Sequence, residues 1–73
     1  MQNKKQLIYF IESNYNEFSN LECSEIYILD LSENELSEEV IEYLKSIERF
    51  DYKDICIYYV KEDDEVWVEN MAA

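Results

Sequence analysis

Carboxylates are the side chains of this sequence with the greatest capacity for chemistry. Glu35, Glu38, Glu39 and Glu42 fall at three- and four-residue intervals, and Glu62-Asp63-Asp64-Glu65 form a second run. Grouped carboxylates can move protons, ligate a cation or present a polyanionic surface. The first two uses find little support in the rest of the chain. Histidine is absent, which excludes Ser–His and Cys–His nucleophilic catalysis. Cys23 and Cys56 alone cannot supply the four ligands of a zinc site. Glycine is also absent, which excludes phosphate-cradling loops and the sharp turn of an EF-hand. Asp63, Asp64 and Glu65 could hold a divalent ion only weakly, and a solvated turn is the commoner fate of such a run. The expectation is a protein that is not an enzyme and uses no cofactor or metal.

The third use fits the overall charge. Eighteen acidic residues face six basic ones, a formal net charge of −12. A small soluble domain manages with a magnitude of about 2–8. The excess adds self-repulsion to a core that is marginal at this size. That cost suggests a use for the charge, the plain alternative being a solubility surface or an ancestry in a salty cytoplasm. Phosphates and anionic lipid would be repelled, so neither direct nucleic-acid binding nor membrane binding is expected. A basic surface is the expected partner, and such surfaces are commonest on nucleic-acid-binding proteins.

These acids need a scaffold. Apolar and aromatic residues make up 48% of the chain, with seven Tyr, three Phe and one Trp, so the composition is that of a folded domain. A single domain over residues 1–73 is expected. Asn3 can cap a first helix from Lys4 to about Phe18, with Leu7, Ile8, Ile11, Tyr15 and Phe18 on one side. Phe10 flanks that stripe and Tyr9 points away. Glu25–Leu31 reads as a strand. Ser37 is a good N-cap for a second helix reaching about Arg49, with Glu38 and Glu39 in its positive first turn. Leu36 and Ile41 fit a hydrophobic staple, while Ser32 with Glu35 offers a competing capping box. Val40, Tyr43, Leu44 and Ile47 form the buried stripe, with Lys45 and Arg49 near the end. Ile55–Val60 and Glu65–Glu69 read as strands joined by Lys61–Asp64. With neither Gly nor Pro, turns should rest on Asn, Asp and Ser.

The resulting fold class is α+β: a small single-layer three-stranded sheet with two helices, in the order α-β-α-β-β. The first and second strands should form a right-handed parallel crossover, with the third antiparallel to the second. If both helices cover one face, they bury Ile26, Ile28, Ile55, Ile57, Tyr59, Val66 and Val68. The other face then shows Tyr27, Leu29, Cys56, Tyr58 and Trp67, an interface-like set. If the helices lie on opposite faces, this patch becomes core. The start MQNKKQLIYF lacks a small-residue cleavage site and no stretch could span a bilayer. A cytoplasmic location with reduced, packed thiols is expected, a Cys23–Cys56 disulfide being the alternative.

Residues three or four apart on a helix lie about 5.4 Å apart along its axis, of the order of the spacing between successive phosphates. The like-charge pairs Glu38–Glu42 and Glu35–Glu39 each cost a few tenths of a kcal/mol. An inhibitor that imitates nucleic-acid charge is therefore expected, its partner a nuclease or another nucleic-acid-binding effector. The contact residues would be Glu35, Glu38, Glu39, Glu42, Asp63, Asp64 and Glu65, with Tyr58 and Trp67 as anchors. In size and composition alone the chain is similar to small anti-CRISPR and anti-restriction proteins. Many Asn, Lys, Ile, Tyr and Glu suit a phage or mobile-element product. Alternatives are an immunity protein or antitoxin neutralising a basic toxin enzyme, and a homodimeric module using the aromatic sheet face.

Overall fold

The computed structural model describes residues 2–33 and 35–72. The chain opens with helix α1, Gln2–Ser13, followed by the short helix α2, Tyr15–Ser19. Leu7, Phe10, Ile11 and Phe18 are buried along them. Spacing predicts one continuous helix; the structure breaks it at Asn14. There the side-chain amide donates to the Phe10 carbonyl at 2.9 Å, while the backbone N–H reaches the Phe10 and Ile11 carbonyls at 3.2 Å. A side chain that occupies a helical carbonyl competes with the ladder. Asn3 lies inside α1 rather than ahead of it, so it does not cap the helix.

Strand β1 is Tyr27–Ile28, followed by a 3-10 turn, Leu31–Glu33. It is much shorter than Glu25–Leu31, although Leu29 N–H also donates to Val66 O at 2.8 Å. Helix α3, Glu38–Ile47, starts where the sequence predicts: Ser37 Oγ accepts from Val40 N–H at 3.3 Å. Leu36 is buried and Ile41 half-buried against the same core. The competing box does not form, because the N–H and hydroxyl of Ser32 both donate to Asp30 Oδ1. The helix ends two residues before Arg49, where Glu48 takes a φ of 71°. Ile47, expected inside, is 37% exposed.

Three strands follow: β2, Arg49–Tyr52; β3, Ile55–Val60; and β4, Glu65–Asn70. The sheet is four-stranded and antiparallel, in the order β1-β4-β3-β2. Two expectations are thereby corrected. Arg49 belongs to an additional strand rather than to a helix end. The first strand does not pair with Ile55–Val60, because β2 and β4 already occupy both edges of β3. β1 takes the free edge of β4 instead. Both β1 and β3 run antiparallel to β4, so they share a direction without touching as a pair.

All helices lie on one face. Leu7, Ile11 and Phe18 pack with Val40 and Leu44 over Ile55, Ile57, Val66 and Val68 in one core. Residues directly opposite share a face, so the register of Tyr27 with Val68 and Ile28 with Trp67 turns Tyr27 and Leu29 inward. Ile26 and Ile28, expected under the helices, are 42% and 52% exposed. Among the described residues, positive φ occurs at Glu48, Lys53 and Asp64; Glu and Lys therefore serve where Asn, Asp or Ser was expected. The radius of gyration is 11.3 Å, matching the roughly 11 Å of a globular chain of this length.

Candidate functional site

Helix α3 positions the acidic residues by its cap and its buried stripe. Ser37 sets the start, and Val40 and Leu44 face the core with no exposure. Glu38 and Glu42, one turn apart, consequently point outward. The hairpin tip Lys61–Asp64 approaches from the other side. Tyr59 Oη donates to Asp64 Oδ1 at 2.5 Å, and Asp64 takes a φ of 52° with its N–H on Lys61 O. Glu38, Glu42 and Asp64 thus meet around one concavity of about 410 Å³. Leu31, Leu36 and Ile41 line it as well, and Lys45 is its one cation. Lys45 pairs with Glu42 at 3.1 Å and lies 5.2 Å from the Tyr59 ring centre. The bond to Glu42 raises the Lys45 pKa against partial desolvation, so the ammonium is a fixed charge at neutral pH. Three carboxylates against one ammonium leave the concavity anionic.

The other expected contact residues are dispersed. Glu35 precedes α3 and lines a separate groove with Gln6, Tyr9 and Ser13 of α1; it is not a helical partner of Glu39. Glu39 and Asp63 are exposed without ion pairs among the described residues. Glu65 turns to the open sheet face, where its Oε1 accepts from Trp67 Nε1 at 3.0 Å. No described group of three or more His, Cys, Asp or Glu is disposed to hold a metal ion.

The open face holds the expected aromatic anchors and several residues that sequence reasoning missed. Ile28, Trp67, Tyr58 and Arg49 form one row across all four strands. The Tyr58 and Trp67 rings meet edge to face at 6.1 Å. Tyr58 Oη donates to Glu69 Oε2 in a short bond. Partial burial, then that bond, push the Tyr58 phenol up to about 12. Beside the row, Arg49 Nε donates to both Asp51 oxygens at 3.0 and 3.3 Å. Cys56 is buried on this face opposite Asp51, and desolvation with a hydrogen bond to Asp51 pushes its thiol up to about 12. The same thiol bond, with Arg49, holds the Asp51 carboxyl below its usual range. Cys56 is therefore an inert packed thiol. Cys23, expected to pack as well, is exposed, and both cysteines are free. The alternation Glu65-Trp67-Glu69 is the sequence signal that places two carboxylates around the indole.

No described helix is long and apolar enough to cross a membrane. No protein-family model matches the chain, and neither a curated protein nor a solved structure is detectably similar to it.

Proposed function

We propose that this chain is an inhibitor of the anti-CRISPR or anti-restriction type, binding a basic nuclease or nucleic-acid-binding effector by imitating nucleic-acid charge. The observation that carries this reading is the convergence of Glu38, Glu42 and Asp64 on one concavity from two separate elements. A surface made only for solubility has no need to gather like charges, which repel one another. Leu31, Leu36 and Ile41 also line the concavity, which adds some apolar contact beside the carboxylates, as interfaces combine the two. Only three of eighteen acids form ion pairs among the described residues, which leaves a strong field to steer a cationic partner. In this reading the acidic junction occupies a Lys/Arg-lined groove, and DNA or RNA is excluded by competition.

The test uses the tagged chain to capture proteins from the host lysate. The expected captive is a basic nucleic-acid-binding protein that is released by added DNA or RNA and by rising salt. A Glu38→Lys/Glu42→Lys double variant should lose capture while keeping its circular dichroism spectrum. Capture that persists in that variant, or in molar salt, overturns the reading. An immunity protein or antitoxin would use the same surface, and the identity of the captive separates the two.

A further inference from the structure

We infer that the open face of the sheet is a second contact surface, fitted to an arginine- or lysine-bearing protein segment. This rests on the basic-partner reading above and names where else such a partner is gripped. The row Ile28–Trp67–Tyr58–Arg49 crosses the whole sheet on the face opposite the helices. Ile28 is 52% exposed at one end and no described element covers it. A bare sheet face with an aromatic centre is a contact surface in search of an occupant.

Charge decides which occupant it takes. Glu65 lies on one side of the row, and Glu69 with Asp51 on the other. Arg49, the cation of this face, is already engaged by Asp51. A second copy of this chain would set carboxylates against carboxylates, so the self-paired arrangement is disfavoured. A cationic side chain meets the opposite situation. The Trp67 and Tyr58 rings offer π faces. Each flanking carboxylate is held by a ring donor: Glu65 by the indole N–H and Glu69 by the phenol. One such bond leaves further lone pairs on each carboxylate. The aromatic donors thus orient the carboxylates beside the rings, so that a guanidinium or ammonium over Trp67 can reach them.

The single tryptophan of the chain makes this measurable. The probe is a hexa-arginine peptide, titrated at low and moderate salt while Trp67 emission is followed. The expected result is a saturable change in emission. At fixed salt, Glu65→Gln/Glu69→Gln should weaken binding about tenfold, two surface charge contacts being lost. Glu38→Gln/Glu42→Gln removes the same charge and should weaken it less than about threefold. Trp67→Leu, followed by calorimetry, should weaken it about two- to fivefold through the lost ring. Thermal melts of each variant establish that the fold persists. Should Glu69→Gln alone disturb folding, Glu65→Gln alone carries the comparison with about a threefold loss. Equal losses from both carboxylate pairs would overturn the sheet-face site while leaving the basic-partner reading intact. No saturable change in Trp67 emission even at low salt would overturn the sheet-face site and leave the basic-partner reading to the capture experiment. Concentration-dependent dimerisation that buries Trp67 without peptide would assign the face to a second copy and overturn the inference.

Discussion

Tyr59 donates its phenolic proton to Asp64 Oδ1 at 2.5 Å while its ring packs against the core and under Lys45. One side chain therefore links the core, the hairpin tip and the cation of α3. The bond raises the Tyr59 pKa, with Asp64 as its chief cause. Tyr59→Phe keeps the ring and removes the tie. The expected outcome is a nearly unchanged melting temperature with faster amide exchange at residues 61–64 and a severalfold loss of partner affinity. Unchanged exchange at the tip would show that the bond does not hold Asp64 in place.

One charge reversal and added salt should separate stability from binding. Glu38 and Glu42 stand one turn apart on α3, a like-charge spacing that costs a few tenths of a kcal/mol. Glu38→Lys relieves that repulsion but sets a cation in the positive first turn of the helix, at a cost of about 0.3–1 kcal/mol. The melting temperature should fall slightly and partner affinity about tenfold, the scale of a close interfacial charge contact. Added salt should instead raise the melting temperature of the native sequence by screening self-repulsion while it weakens the complex. A reversal that leaves affinity unchanged would contradict this account.

Glu48 carries a φ of 71° at the junction of α3 and β2. A left-handed conformation costs a non-glycine residue about 1–2 kcal/mol. Its backbone is committed on both sides: the N–H donates to Leu44 O at 2.7 Å and the carbonyl accepts from Tyr59 N–H at 3.1 Å. Glu48→Gly should stabilise the protein by about 1 kcal/mol in urea denaturation, after the entropy lost to glycine in the unfolded chain. Lys53, with a φ of 54°, should gain less, because its ammonium pairs with Glu12 and lies over the Tyr15 and Tyr52 rings.

Alkali should destabilise the fold before it damages the chain. Tyr58 titrates near 10 when unfolded and near 12 in place; Cys56 moves from 9 to about 12. Both folded pKa values are raised, so their contribution is complete below the unfolded values and is lost as pH climbs towards about 12. The unfolded chain releases those protons while the native one still holds them. Melting temperature should therefore decline through that window, and Tyr58→Phe should flatten part of the decline. A thiol reagent at pH 8 should modify Cys23 in the native protein and reach Cys56 only at the rate of opening. Rapid native labelling of both would show that the Cys56 environment is not closed.

The parts of this fold that rest on local signals were legible from the residues. Ser37 as a cap, the Val40 and Leu44 stripe, and the β3–β4 hairpin all depend on neighbours a few positions away. The failures are non-local. Nothing near Tyr27 says that it will lie opposite Val68, and that register alone decides which side of β1 is buried. β2 was hidden by a competing local reading, in which Arg49 suits a helix end, although Phe50 and Tyr52 alternate with Arg49 and Asp51 as a strand should. For the candidate site, the like-charge spacing along α3 could be read in advance. The approach of Asp64 to Glu38 and Glu42 could not, since it depends on how α3 lies across the sheet. The spacing of Glu35 continues the α3 pattern beyond the Ser37 cap, so the sequence alone groups it with a helix that it precedes.

The strand order has a consequence for biosynthesis. β4, latest of the four strands in sequence, occupies an interior position between β1 and β3. Until it emerges from the ribosome, β1 has no partner in the sheet, and Phe18 and Leu29 lack the Val66 and Val68 surface on which they close. The nascent chain therefore exposes apolar side chains until β4 emerges, and dense negative charge opposes association between such chains. A message cut short before β4 would leave those side chains uncovered, because the sheet closes only on its last strand.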